Sequence, residues 1–212
     1  MRKFSVLFII LFLGFNLCAQ DSISVKIDSL SSSESISDST VVEDLLPSRY
    51  LFTQRLLWAD KGLLRNIDYF KLSQEERERE MDIRAAMNTV HRYTGYLALA
   101  GMIGAGISGQ MSANGNDKAK DAHEFMVGVT NASYFTSLGF ALFSPPPMKN
   151  RETGFTKLNL HRAFSIVHIA SMITTNVLAG MLEDNKSLVP YHRAAAITAF
   201  SSLLTATIII NY

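Results

Sequence analysis

The chain has a single cysteine, Cys18, among 212 residues. It falls in a segment that reads as a secretory leader: Arg2 and Lys3 form a positive start, Val6 to Phe15 a short apolar run, and Cys18-Ala19-Gln20 leads into polar sequence at Asp21. Cleavage after Ala19 or Gln20 leaves a mature chain without cysteine, which excludes disulfides and thiolate metal sites. Leu17 stands where lipid attachment to Cys18 wants a small residue. The apolar run is shorter than a bilayer crossing requires, so residues 1–20 are expected to be a signal peptide, with an uncleaved anchor as the alternative.

Charge is also scarce. Only 18% of residues are Asp, Glu, Lys or Arg and the formal net charge is +1, against about 25% charged in a typical soluble domain. No basic stripe stands out, which argues against a nucleic-acid partner. No nucleotide or flavin fingerprint is present, so any reductase activity needs a partner or a diffusible quinol. Residues 21–46 lack aromatics and are rich in Ser, Asp and Glu; they are expected to be a disordered tether.

Residues 47–86 read as an extramembrane, amphipathic helical segment. Tyr50, Leu51, Leu56, Leu57, Trp58, Leu63 and Leu64 form an apolar face broken by Arg55, Asp60, Lys61 and Arg65. Two placements stay open for it: at a membrane surface with Trp58 at headgroup level, or against the protein's own domain. Ser73-Gln74-Glu75-Glu76 is a capping box. The polar run after it contains no breaker before Gly95, so one helix is expected to start near Ser73 and to continue past His91.

The charges disappear altogether from four stretches within residues 87–212: Tyr93–Met111, Phe125–Phe143, Ala163–Leu182 and Ala194–Ile210. Each is about 17–20 residues long, which at 1.5 Å per residue matches a hydrocarbon core of about 30 Å. The links are short, with Asn-Gly turns, Pro145–Pro147 and Pro190. The expected fold is all-α, a membrane-embedded up-down four-helix bundle. A soluble bundle needs a charged face on each helix, and none of these four has one. Gly101, Ala105 and Gly109 form a small-xxx-small stripe that allows close helix approach.

What the stretches do carry is histidine. His91, His123, His161 and His192 each stand at the head of one stretch, and an ionisable residue in a membrane marks a candidate functional site. With antiparallel helices and the leader cleaved, His91 and His161 lie near the outer face, His123 and His192 near the inner face. Four histidines sorted into two pairs are the ligand supply for two bis-histidine haems, with a single haem as the smaller version. His91-Arg92, His161-Arg162 and His192-Arg193 share a further pattern: a small residue (Gly95, Ser165, Ala196) follows four places after the histidine, on the same face. Arg92, Arg162 and Arg193 are candidates for pairing with haem propionates or lipid phosphates, or for snorkelling to the interface. His168 lies two turns beyond His161, so it is either an alternative outer ligand or a hydrogen-bonding residue.

Residues 87–212 resemble the cytochrome b561 family on four segments: MNTVHRYTGYLALAG, KAKDAHEFMVGVT, KLNLHRAFSIVHIA and LVPYHRAAAITAF. The resemblance implies two haem b groups held by histidines on alternate helices. It also implies reductase-like electron transfer across a membrane. The leader, once cleaved, sets the expected orientation: a multi-pass protein of the inner (cytoplasmic) membrane whose N-terminus lies on the periplasmic side. The donor class is a quinol or small reductant, and the partners are membrane lipid and a periplasmic or membrane protein. Asn159-Leu160-His161-Arg162-Ala163 departs from the Ser-Leu-His-Ser-Trp of many members, so ascorbate is not carried over. The rival expectation is a non-redox membrane anchor or scaffold.

Overall fold

The computed structural model describes residues 45–150 and 153–212. The leader, and the tether up to residue 44, lie outside them. Among the described residues the chain is all-α: α1 (Phe52–Trp58), α2 (Gln74–Ala113), α3 (Asp117–Phe143), α4 (Lys157–Met181) and α5 (Val189–Asn211), with short 3-10 turns at Leu63–Asn66, Asp68–Phe70 and Lys186–Leu188.

Three of the four long helices begin where the sequence supplies an acceptor for orphan N–H groups. Ser73 accepts from the Glu76 amide, Asn116 from Ala119 and Thr156 from Asn159. Pro190 opens α5, where its missing N–H costs nothing. Gly115 turns the chain between α2 and α3 with φ +91°, a conformation that disfavours a side chain. Pro145 and Pro146 follow α3 and prevent its continuation. α2 runs unbroken for 40 residues, about 60 Å, so the helix that starts at the capping box does carry through His91.

α2 packs along α3, and α4 along α5, as two helical hairpins. Ala98, Tyr134, Met172 and Leu203 meet in the core, one from each long helix, with Leu99, Met102, Leu138 and Ile169 against them. Many other buried positions are small or polar: Gly101, Ser108, Thr130, Ser133, Ser137 and Ser202. The large apolar side chains instead face outward, among them Leu97, Ile107, Phe125, Ile166 and Ile197. Two helical stretches, Lys157–Met181 and Lys186–Asn211, are long and apolar enough to cross a membrane, with mean hydropathy 1.4 and 1.7. In α2 and α3, Gly, Ser, Thr and Tyr dilute the apolar stretches that the sequence offered as further spans.

The 47–86 segment packs on its own domain. Trp58 is 4% exposed and its indole N–H donates to the Phe143 carbonyl at 2.9 Å, at the end of α3. Gln54 donates to the Ser144 carbonyl at 3.0 Å. Beneath this cap lies a buried ion network. Arg77 and Arg65 both pair with Glu80; Arg77 also donates to the carbonyls of Leu45 and Pro146, each at 3.0 Å. Arg65 donates to the carbonyls of Trp58 and Phe70. Charges this deep persist only when paired and hydrogen-bonded, and these contacts tie the cap to α2 and to the proline turn.

Candidate histidine centres

The five histidines divide into four of one kind and one of another. His91 places Nδ1 3.0 Å from the carbonyl of Ser137, and His123 2.8 Å from that of Ala105. His161 does the same with Ala206 at 3.0 Å, and His192 with Thr175 at 3.1 Å. A carbonyl can only accept, so Nδ1 carries the proton in each ring. Nε2 is left with its lone pair, and no hydrogen bond occupies it among the described residues. A backbone carbonyl that fixes the tautomer and frees Nε2 is an arrangement found at metal-ligating histidines.

These bonds follow a repeat. Each histidine reaches across its own hairpin, and each acceptor stands fourteen residues after the histidine of its own helix: 91 and 105, 123 and 137, 161 and 175, 192 and 206. The acceptors Ala105, Ser137, Thr175 and Ala206 are all small, which lets an imidazole reach the backbone. Fourteen residues of helix span about 21 Å, so each hairpin holds its two histidines at two levels separated by that distance.

Between hairpins, His91 lies beside His161, while His123 and His192 share a cavity. The rings of His91 and His161 lie with centres 6.3 Å apart and planes at 87°. Two imidazoles meeting one ion at roughly 2 Å each, from nitrogens roughly 1 Å off their ring centres, put those centres about 6 Å apart. The observed separation is compatible with both rings ligating one metal ion. His123 and His192 line one cavity of about 650 Å³, with apolar walls that include Met102, Val127, Ala196 and Phe200, and with Lys120, Glu124, Glu183 and Lys186 also in its lining. That volume lies in the range of small-molecule and cofactor sites, and the largely apolar lining suits a flat hydrophobic group. Among the described residues no three His, Cys, Asp or Glu side chains converge as a metal site; the histidines come in pairs.

His168 is of the other kind. It is buried, and its Nδ1 lies 2.8 Å from the hydroxyl of Tyr134, itself in the core. The phenol can donate where a carbonyl cannot, and a donated hydroxyl puts the histidine proton on Nε2, which then has no lone pair for a metal. Tyr134 gave no signal in the sequence as a partner, because its role depends on α3 lying beside α4.

The small residues at four places after three of the histidines have separate settings. Ala196 lines the cavity. Ser165 turns its hydroxyl onto the His161 carbonyl. A side chain on Gly95 would meet the Ser137 hydroxyl at 3.4 Å, so that glycine admits a neighbouring helix rather than open space. In the small-residue stripe, Gly101 lies against Thr130 and Gly109 against the His123 ring; a Cβ there would come within 2.5 and 2.9 Å. Arg92 and Arg193 are exposed, Arg92 over the Tyr93 ring, while Arg162 is partly buried.

Compared with protein-family models, with characterised proteins and with solved structures, the chain finds no match.

Proposed function

We propose that residues 87–212 form a membrane-embedded up-down four-helix bundle that carries electrons between the two membrane faces through two b-type haems. His91 and His161 would hold one, His123 and His192 the other. The observation that carries this is the set of four Nδ1-to-carbonyl bonds, which present four free Nε2 atoms in two pairs at two levels. The outward-facing Leu, Ile and Phe side chains, set over small and polar buried positions, support placement in a bilayer.

Bound haem supplies reversible one-electron chemistry at iron. The chain's own contribution is to hold each imidazole in one tautomer, to keep water from the core through the Ala98–Tyr134–Met172–Leu203 cluster, and to set the two levels about 21 Å apart. In this reading the protein resembles the cytochrome b561 family and lies in the inner (cytoplasmic) membrane, with the cap outside. Its donor is a quinol or small reductant, and its acceptor a periplasmic or membrane partner.

The test is a reduced-minus-oxidised visible spectrum of the purified full chain, expressed with ample haem, with a haem-to-protein ratio. A b-type spectrum and a ratio near two are expected. A ratio near one reduces the proposal to a single centre. Colourless protein overturns it and leaves the non-redox membrane anchor or scaffold.

A further inference from the structure

The cap builds a second site that the histidines do not use. A pocket of about 350 Å³ lies between the cap and the first turns of α4, lined by Arg49, Tyr50, Leu51, Thr153, Asn159 and Arg162, with Gly154 at its edge. Its described lining holds two guanidiniums and no carboxylate. Arg49 and Arg162 make no ion pair among the described residues; the contact recorded for Arg162 is a long one, 3.4 Å to Asn159. The segment bearing Arg49 is pinned there, because Ser48 donates to Asn150 from both its amide, at 2.7 Å, and its hydroxyl, at 2.9 Å.

A third guanidinium adds to the field. Arg84 is partly buried and, among the described residues, bonds to neutral acceptors, the Ser144 hydroxyl and the Pro145 carbonyl. Burial, and then the nearby charges of Arg162 and Arg77, push its pKa below the ordinary arginine value. Arg77 has Glu80 to balance it; Arg49, Arg84 and Arg162 have no such carboxylate among the described residues. The N-terminal end of α4, with its positive dipole, faces the same region. Positive charge without a carboxylate partner among the described residues, in a pocket that also offers hydroxyl donors from Tyr50 and Thr153, suits negative oxygen atoms.

We propose that this pocket binds an oxyanion, a phosphate or carboxylate group, between Arg49 and Arg162. The site goes beyond the electron-transfer reading and does not depend on it, since a chain without haem keeps the same pocket. The oxyanion has two possible sources, a diffusible anion or a lipid headgroup.

Isothermal titration of the full-length protein with inorganic phosphate tests it, in phosphatidylcholine and in phosphatidylglycerol nanodiscs. Saturable binding is expected in phosphatidylcholine, with a dissociation constant on the order of 1 mM. Arg49→Gln should weaken it about tenfold, and Arg49→Lys should restore part of it, because lysine keeps the charge and loses the fork. Phosphate binding in both lipids marks a diffusible anion. Binding in phosphatidylcholine that phosphatidylglycerol blocks marks a headgroup. Absence of saturable binding in phosphatidylcholine, or binding that Arg49→Gln leaves unchanged while its melting temperature matches the parent, overturns the proposal. The haem ratio is read separately, so failure here is distinguishable from failure of the haem centres.

Discussion

The His123 ring lies directly on Gly109: a Cβ on that glycine would stand 2.9 Å from both Cε1 and Nδ1 of the imidazole. The same ring bonds the carbonyl of Ala105, one turn earlier on α2. Gly109 is therefore the gap through which the histidine reaches the backbone. Gly109→Ala should push the ring off Ala105 and reduce haem at the inner pair, taking the haem-to-protein ratio from about two towards about one. Gly180→Ala, where a Cβ meets nothing within 4 Å and which does not line the His123–His192 cavity, should leave the ratio unchanged. Pyridine haemochrome assay of the two variants gives the comparison.

The pairing predicts how losses combine. His91→Ala and His161→Ala should each remove the same haem, and the double variant should lose no more than either single one. His91→Ala with His123→Ala should remove both. His168→Ala should keep a ratio near two, because its Nδ1 is engaged with Tyr134. Loss of a full haem in the His168 variant would return that residue to the ligand set.

Ser137 tests whether the acceptor is backbone or side chain. Its carbonyl and its hydroxyl both lie near His91 Nδ1, at 3.0 and 2.9 Å, and the hydroxyl also reaches the His91 carbonyl at 2.8 Å. Ser137→Ala keeps the carbonyl. The outer haem should remain, while stability falls by about 1 kcal/mol for the lost hydroxyl bond. Thermal unfolding of the loaded protein, together with the haem ratio, measures both.

The buried network under the cap makes a larger claim. Glu80→Gln leaves Arg65 and Arg77 buried without a counter-charge. A broken buried pair costs about 3–5 kcal/mol. The cap should loosen from α2, and limited proteolysis should cut within residues 45–73 well before the helices. Equal protease resistance in the variant and parent would mean that the cap is held by its other contacts, those of Ser48, Thr53, Gln54 and Trp58.

Much of the local structure is legible in the sequence. The Ser73 capping box starts the 40-residue helix, the proline run stops α3, and the histidine at the head of each apolar stretch leads to the pairs that the fold brings together. The cap is not legible. Trp58 reads equally well as a headgroup residue, because its apolar face and its indole N–H suit either a membrane surface or the carbonyl of Phe143, and that carbonyl is 85 residues away in the chain. Arg77 and Glu80 sit in a charged run that reads as a solvated helix face. They are buried because their remaining partners, Leu45 and Pro146, arrive from 32 and 69 residues away.

The haem-ligand candidates divide along the same line. The sequence by itself determined which residues are helical, where the helices begin and stop, and that one histidine stands at a common depth in each, because caps, breakers and the 3.6-residue period act over a few neighbours. Only the tertiary structure decided the tautomers, the separation of His168 from the other four, and the arginine pocket beneath the cap. Each of these depends on a carbonyl, a phenol or a guanidinium supplied by a different helix or by the cap. A backbone carbonyl is the same group in every residue, so nothing in the letters at 105, 137, 175 and 206 beyond their small size marks them as the atoms that hold the rings.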